Sequence, residues 1–259
     1  MSNNKELALV TGASSGIGAE IARQLAARNV NLVLTARRRD RLESLAAELS
    51  AQHGINATII EADLNTSDGA TSLVQELAGK NLDITHLINN AGFGYFGPFL
   101  DQSPADIDAM LQVDIRAVTI LCQQLGQLMA ARGGGKILNV ASFAALAPIP
   151  KYTVYSGAKA YIVAFSQALR HELASKNVWV SVLCPGFTKT EFHEVSRHKK
   201  SSLMRSIELS VEQVASAGLR GLERNQFLII PGWWYKLNFL TASFLPRSVM
   251  SAISAAVVK

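Results

Sequence analysis

Short apolar runs recur along the first 190 residues: LALVTG (7–12), NLVLTA (31–36), ATIIEADL (57–64), ITHLINNAG (84–92), GKILNVAS (135–142) and VWVSVLCPG (178–186). They are rich in Val, Ile and Leu, as expected of strands buried on both faces. Between them lie longer segments with helical spacing, such as SGIGAEIARQLAARN and RDRLESLAAELSAQHG, the latter ending on Gly54 where a helix C-cap would sit. Strand and helix alternating in this way predict an α/β fold, a doubly wound parallel sheet with helices on both faces. No internal repeat or low-complexity linker divides the chain, so residues 1–259 are expected to form a single domain.

The alternation stops after Gly186. FTKTEFHEVSRHKKSSLMRSIE is polar, basic and weakly periodic, and reads as a substrate-lid excursion over about 187–209. Ser210 and Gln213 then have capping-box spacing at the head of SVEQVASAGLRGLE, and QFLIIPG (226–232) reads as a last strand. The closing segment, about 232–259, is apolar, with Trp233, Trp234 and Tyr235 beside Lys236; Lys236, Pro246 and Arg247 interrupt it too often for a spanning helix. Two readings remain for residues 233–258: a segment lying in a membrane surface, or a lid or subunit interface. The second is favoured, and a homo-oligomer, dimer or tetramer, is expected.

With 49% hydrophobic and 17% charged residues, the chain can bury a large core. The net charge of +5 comes partly from RRRDR (37–41) and RHKK (197–200). Neither run is joined to aromatic or groove-reading elements, so no nucleic-acid partner is expected. Cys122 and Cys184 lie far apart, outside any CxxC or Cys/His cluster, which suggests no disulfide framework and no metal site. With a start that lacks the apolar core of a secretion signal, this predicts a cytoplasmic location, peripheral to a membrane if the tail lies on one.

Candidate chemistry begins where the first strand meets the first helix. TGASSGIG places Gly12, Gly16 and Gly18 around Ser14, Ser15 and Ile17. A glycine-rich turn there lets backbone approach a pyrophosphate, and the helix N-terminus offers free N–H groups. After the second strand, where an acid would hold the ribose of NAD, the chain has Ala36, Arg37 and Arg38. A guanidinium pairs with a 2′-phosphate that a carboxylate would repel, so NADP(H) is the expected cofactor. The competing reading is a solvated helix start.

TGxxxGxG, NNAG at 89–92, Ser142 and YSGAK at 155–159, in this order, resemble the short-chain dehydrogenase/reductase family in its shorter branch, from about Leu7 to Phe192. The resemblance implies a single-domain Rossmann-type fold and hydride transfer between a small carbonyl/alcohol substrate and the cofactor. Tyr155 would be the general acid/base. Lys159, one helical turn on, would favour the phenolate and bind the nicotinamide ribose, and Ser142 would hold the substrate carbonyl. The resemblance also implies cofactor contacts at Asp63 and Leu64 near the adenine and at Asn90, Ala91 and Gly92 by the ribose. Pro185 and Gly186 would lie beside the nicotinamide, with Thr188 and Thr190 at its carboxamide or the phosphates.

One position departs from the family pattern. Where a helical Asn completes a proton relay, MLQVDIRAVTIL carries Asp114. Asp114 is either a tolerated replacement, the favoured reading, or a charge that draws the Lys159 ammonium away from Tyr155. Phe93, Tyr95 and Phe96 suggest an apolar substrate, or core packing. A cofactor-binding regulator that has lost turnover and a membrane-associated protein of the same fold are the alternatives to an enzyme.

Overall fold

The structure is a computed structural model that describes residues 6–192, 196 and 205–242. The apolar runs become strands β1 (Leu7–Thr11), β2 (Asn31–Ala36), β3 (Ala57–Glu61), β4 (His86–Asn89), β5 (Gly135–Val140) and β6 (Val178–Leu183), with a short β7 (Leu228–Ile229). They form one parallel sheet in the order β3-β2-β1-β4-β5-β6-β7. The chain winds outward from β1 through β2 and β3, then returns to set β4 on the other side of β1. That reversal leaves a crevice at the carboxyl ends of β1 and β4, where open α/β sheets bind ligands.

Strand side chains alternate between the two faces. Ala8, Val10, Leu32 and Leu34 pack beneath α1 (Gly16–Ala26), α2 (Arg39–His53) and α7 (Val211–Glu223). Leu9, Val33, Leu87 and Ile137 pack beneath α3 (Gly69–Gly79), α5 (Val118–Ala131) and α6 (Thr153–Leu173). Both layers exclude water, which is why the strands lack the polar positions of a one-sided sheet.

The local signals are realised. Gly54 caps α2 in the left-handed region at φ 64. Ser210 and Gln213 close a reciprocal capping box at the start of α7. The helix before β5 has a less regular form: α4 (Pro104–Leu111) continues into α5 through a π turn, Gln112–Ala117, that carries Asp114. Insertions of this kind re-aim side chains and recur at functional sites. Beyond β7, α8 (Trp233–Ala242) closes the described chain. Much of the expected lid (193–195 and 197–204) and the tail from 243 to 259 lie outside the described residues. Among the described residues no helix is long and apolar enough to cross a membrane, and no cluster of His, Cys, Asp or Glu is placed to hold a metal.

Candidate active site

The glycine loop is built against the turn after β4. The Thr11 hydroxyl accepts the N–H groups of Asn90 and Ala91, both at 2.9 Å, and donates to the Ile88 carbonyl at 3.3 Å. The Asn90 amide donates to the Thr11 carbonyl at 2.9 Å. Gly12 has φ +66, and a Cβ on it would lie 2.9 Å from Ala91 Cα; on Gly18 it would lie 2.4 Å from Asn90 Nδ2. A side chain at either position would drive the two turns apart. The turn at the head of α1 is thus floored by backbone, an arrangement that could hold a pyrophosphate.

Tyr155 and Lys159 stand on one face of α6, and Ser142 follows β5. The Ser142 Oγ accepts the Ala144 N–H at 3.2 Å, and its hydroxyl also bonds the Tyr155 phenol. The Lys159 ammonium is 2.9 Å from Asp114 Oδ1, donates to the Val140 carbonyl at 3.2 Å, and lies 5.6 Å from the Tyr155 ring centroid. Lys159 is 5% exposed and Asp114 fully buried, so neither charge is screened by water. Gly92 permits this pair: a Cβ there would lie 2.3 Å from Asp114 Oδ1.

This arrangement changes the electrostatics expected of the pair. Burial raises the Tyr155 phenol well above its ordinary value; the neighbouring Ser142 hydroxyl opposes the rise and the Asp114 charge adds to it. The net direction is opposite to the one an ammonium at Lys159 alone implies, because desolvation of the buried phenol dominates, with the Asp114 charge adding to the rise. Burial likewise raises the Asp114 carboxyl, with the Lys159 ammonium pulling it back.

These groups meet in one cavity of about 420 Å³. Gly12, Ser14, Ser15, Gly16 and Ile17 line it from the first loop; Arg37 and Arg38 from the end of β2; Asp63 and Leu64 from the end of β3. Asn90, Ala91, Gly92, Ser142, Tyr155, Lys159, Pro185, Gly186, Thr188 and Thr190 complete the wall on the catalytic side. Two expected site residues stand behind the wall, Gly18 under Asn90 and Asp114 under Lys159. Asp63 Oδ1 accepts the Asn65 N–H at 3.0 Å, an Asx turn that shapes its loop. The Thr188 hydroxyl is used locally, donating to the Gly186 carbonyl at 2.9 Å.

Five contributors lie outside the site residues expected from the sequence: Thr11, Tyr235, Glu191, Tyr152 and Phe192. Thr11 was visible only as the residue before Gly12. Tyr235, grouped by sequence with its apolar neighbours, is buried, while Trp233 is 74% exposed. Its hydroxyl accepts the Phe187 N–H at 2.9 Å and donates to the Ile207 carbonyl at 3.1 Å, and its ring lies so near Gly186 that a Cβ there would be 2.0 Å from Tyr235 Cζ. Glu191, in the polar excursion, meets Arg38 at 2.9 Å and Arg41 at 2.6 Å. Tyr152 and Phe192 flank Tyr155 and join Phe93, Tyr95 and Phe96 in an aromatic cluster over the catalytic end.

A family model described as short chain dehydrogenase matches residues 6–201. Nodulation protein G of Rhizobium sp. (strain N33) is 36% identical over 201 residues, 77% of this chain and 80% of that protein. Human 17-beta-hydroxysteroid dehydrogenase type 3 is 36% identical over 180 residues, 69% of this chain but 57% of that protein's length. Among solved structures, a short-chain dehydrogenase from Sphingobium yanoikuyae in complex with NADPH aligns with a TM-score of 0.82 and 29% identity, covering 92% of this chain and 94% of the other.

Proposed function

The chain belongs to the short chain dehydrogenase family, and from that premise we propose that it interconverts a carbonyl and an alcohol using NADP(H), with Tyr155 as the general acid/base. The observation that carries this reading is the meeting of Ser142, Tyr155 and Lys159 in the same cavity as the glycine loop and Arg38. The loop from Gly12 to Gly18 would hold the pyrophosphate, Asp63 and Leu64 the adenine, and Asn90, Ala91, Gly92 and Lys159 the ribose near the catalytic end. Pro185, Gly186, Thr188 and Thr190 would hold the nicotinamide side, and Arg37 and Arg38 the 2′-phosphate. When bound, this cofactor supplies or accepts the hydride.

The protein's own groups handle the proton. The Ser142 hydroxyl, with an acceptor site committed to the Ala144 N–H, donates to the substrate oxygen. Tyr155 gives its proton to that oxygen as negative charge develops. A phenol that burial keeps protonated suits this donor role in carbonyl reduction. Asp114 is a positioning residue: it fixes the Lys159 ammonium beneath the Tyr155 ring and limits how far that charge favours the phenolate.

The aromatic cluster of Phe93, Tyr152 and Phe192 fits an apolar substrate, in keeping with a relative named for a hydroxysteroid. We assign the exposed face of α8, with Trp233 and Leu240, to a subunit interface of a cytoplasmic homo-oligomer. A second reading, a cofactor-binding regulator with weak turnover, draws on the Lys159–Asp114 pair. A panel of apolar ketones followed by NADPH absorbance separates the two. Turnover that is lost in Tyr155→Phe supports the enzyme; turnover that survives the substitution overturns the mechanism.

A further inference from the structure

Glu191 takes no part in the chemistry above, yet it stands at the basic edge of the cavity. Its carboxylate spans two guanidinium groups, with Oε2 2.9 Å from Arg38 Nη1 and Oε1 2.6 Å from Arg41 Nη1. Arg38 is held from its other side by the glycine loop, donating to Ser15 Oγ at 2.8 Å and Ser14 Oγ at 3.1 Å. The preceding residue rests on the same loop: Thr190 Cγ2 would be 3.2 Å from a Cβ on Gly16. The segment from Gly186 to Glu191 therefore runs along the cavity from the turn after β6 to the basic edge, where Glu191 meets the two arginines.

Two guanidinium groups around one anion, one of them braced by two loop hydroxyls, form the kind of site that suits a phosphate, and a carboxylate offers the same paired acceptor oxygens. The geometry points to Glu191 as a cofactor-discriminating residue: its carboxylate occupies the anion position on Arg38 and Arg41, so a 2′-phosphate must displace it and a dinucleotide lacking that phosphate need not. The inference rests on the NADP(H) reading above and adds a competitor within the chain. Glu191 is anionic at neutral pH, since Arg41 and Arg38 hold its carboxyl below the usual range. It blunts the preference that the arginines confer. The three side chains are each about two-fifths exposed, at 41%, 43% and 42% for Arg38, Arg41 and Glu191, so the competition is modest.

The test is fluorescence titration of the full-length protein and of Glu191→Gln with NADPH and with NADH. Wild type is expected to bind NADPH more tightly than NADH. The substitution is expected to tighten NADPH by about fivefold, the range open to paired surface charges, and to leave NADH within about twofold. Adenosine 2′,5′-bisphosphate against ADP should repeat the difference without a nicotinamide. If wild type prefers NADPH but Glu191→Gln leaves the ratio unchanged or lowers it, the competition is overturned and the cofactor reading stands. If wild type binds NADH as tightly as NADPH, the cofactor reading itself fails and takes this inference with it.

Discussion

The two ends of the cavity handle charge in opposite ways. At the catalytic end, Lys159 and Asp114 form an ion pair out of reach of water, 5% and 0% exposed. At the basic end, Arg38, Arg41 and Glu191 form a pair of bridges that solvent can screen. Burial makes the first pair costly to break and able to move the protonation of a neighbour. Exposure makes the second pair cheap to exchange, which suits a place where one anion has to leave for another. Removing single groups from either end tests this division.

The largest effect should come from the Tyr155 hydroxyl. Tyr155→Phe is expected to lower ketone turnover by about 10²–10⁴-fold, the range for a lost general acid, while NADPH affinity changes little. Steady-state kinetics paired with a cofactor titration checks both halves. A comparable loss of NADPH affinity would mean that the two ends are not separable.

Breaking the buried pair should come next. Asp114→Leu leaves the Lys159 ammonium buried without its partner, and about 3–5 kcal/mol of stability should be lost in denaturant unfolding. Asp114→Asn keeps an acceptor for Lys159 and should cost less. Its sharper signature is in the pH profile. The Asp114 charge helps hold the Tyr155 phenol up; removing it lowers that value, so the alkaline fall of the reduction rate should move to lower pH. A profile that does not move returns Asp114 to the role of a tolerated replacement.

Much of the fold and most of the candidate site's lining were legible in the sequence, for a shared physical reason. Strands buried on both faces need unbroken apolar runs, so β1 to β6 announce themselves. Gly12 and Gly54 are needed for their own backbone angles, and Tyr155 and Lys159 share a face by helical period alone. What was not legible depends on residues that only the winding of the sheet brings together. Tyr235 meets Phe187 across 48 residues, and Glu191 meets Arg38 across 153. The direction of the Tyr155 shift was hidden too. Spacing places the ammonium, but it does not reveal the desolvation or the carboxylate that the π turn carries beneath it.

His86 extends the comparison to the opposite rim of the sheet. It starts β4, is 6% exposed, and is brought down from its ordinary 6.5 to about 4, first by burial and then by the Lys136 charge, with Glu6 opposing. A histidine depressed in the folded state stabilises the protein fully above pH 6.5 and loses that contribution as pH falls toward 4. The loss should approach about 3 kcal/mol. Unfolding free energies measured from pH 7 down to 4.5 should decline, and His86→Gln should flatten the decline. An unchanged slope in the variant would mean that carboxylates elsewhere carry it.

The smallest expected effect is the one most able to break the division between the two ends. Arg38→Gln removes the guanidinium that the glycine loop holds with two hydroxyls. It should weaken NADPH binding by about tenfold, the loss of one charge-assisted pair, and leave NADH binding nearly unchanged. Because the site is open to solvent, the wild-type preference for NADPH should itself shrink as salt rises from 0.05 M to about 0.5 M, where screening reaches only a few Å. The alkaline limb set by Tyr155 and Asp114 should stay in place over the same salt range, since that pair is shielded by protein. If salt moved both quantities together, or Arg38→Gln shifted the pH profile, the cavity would have to be treated as one electrostatic unit.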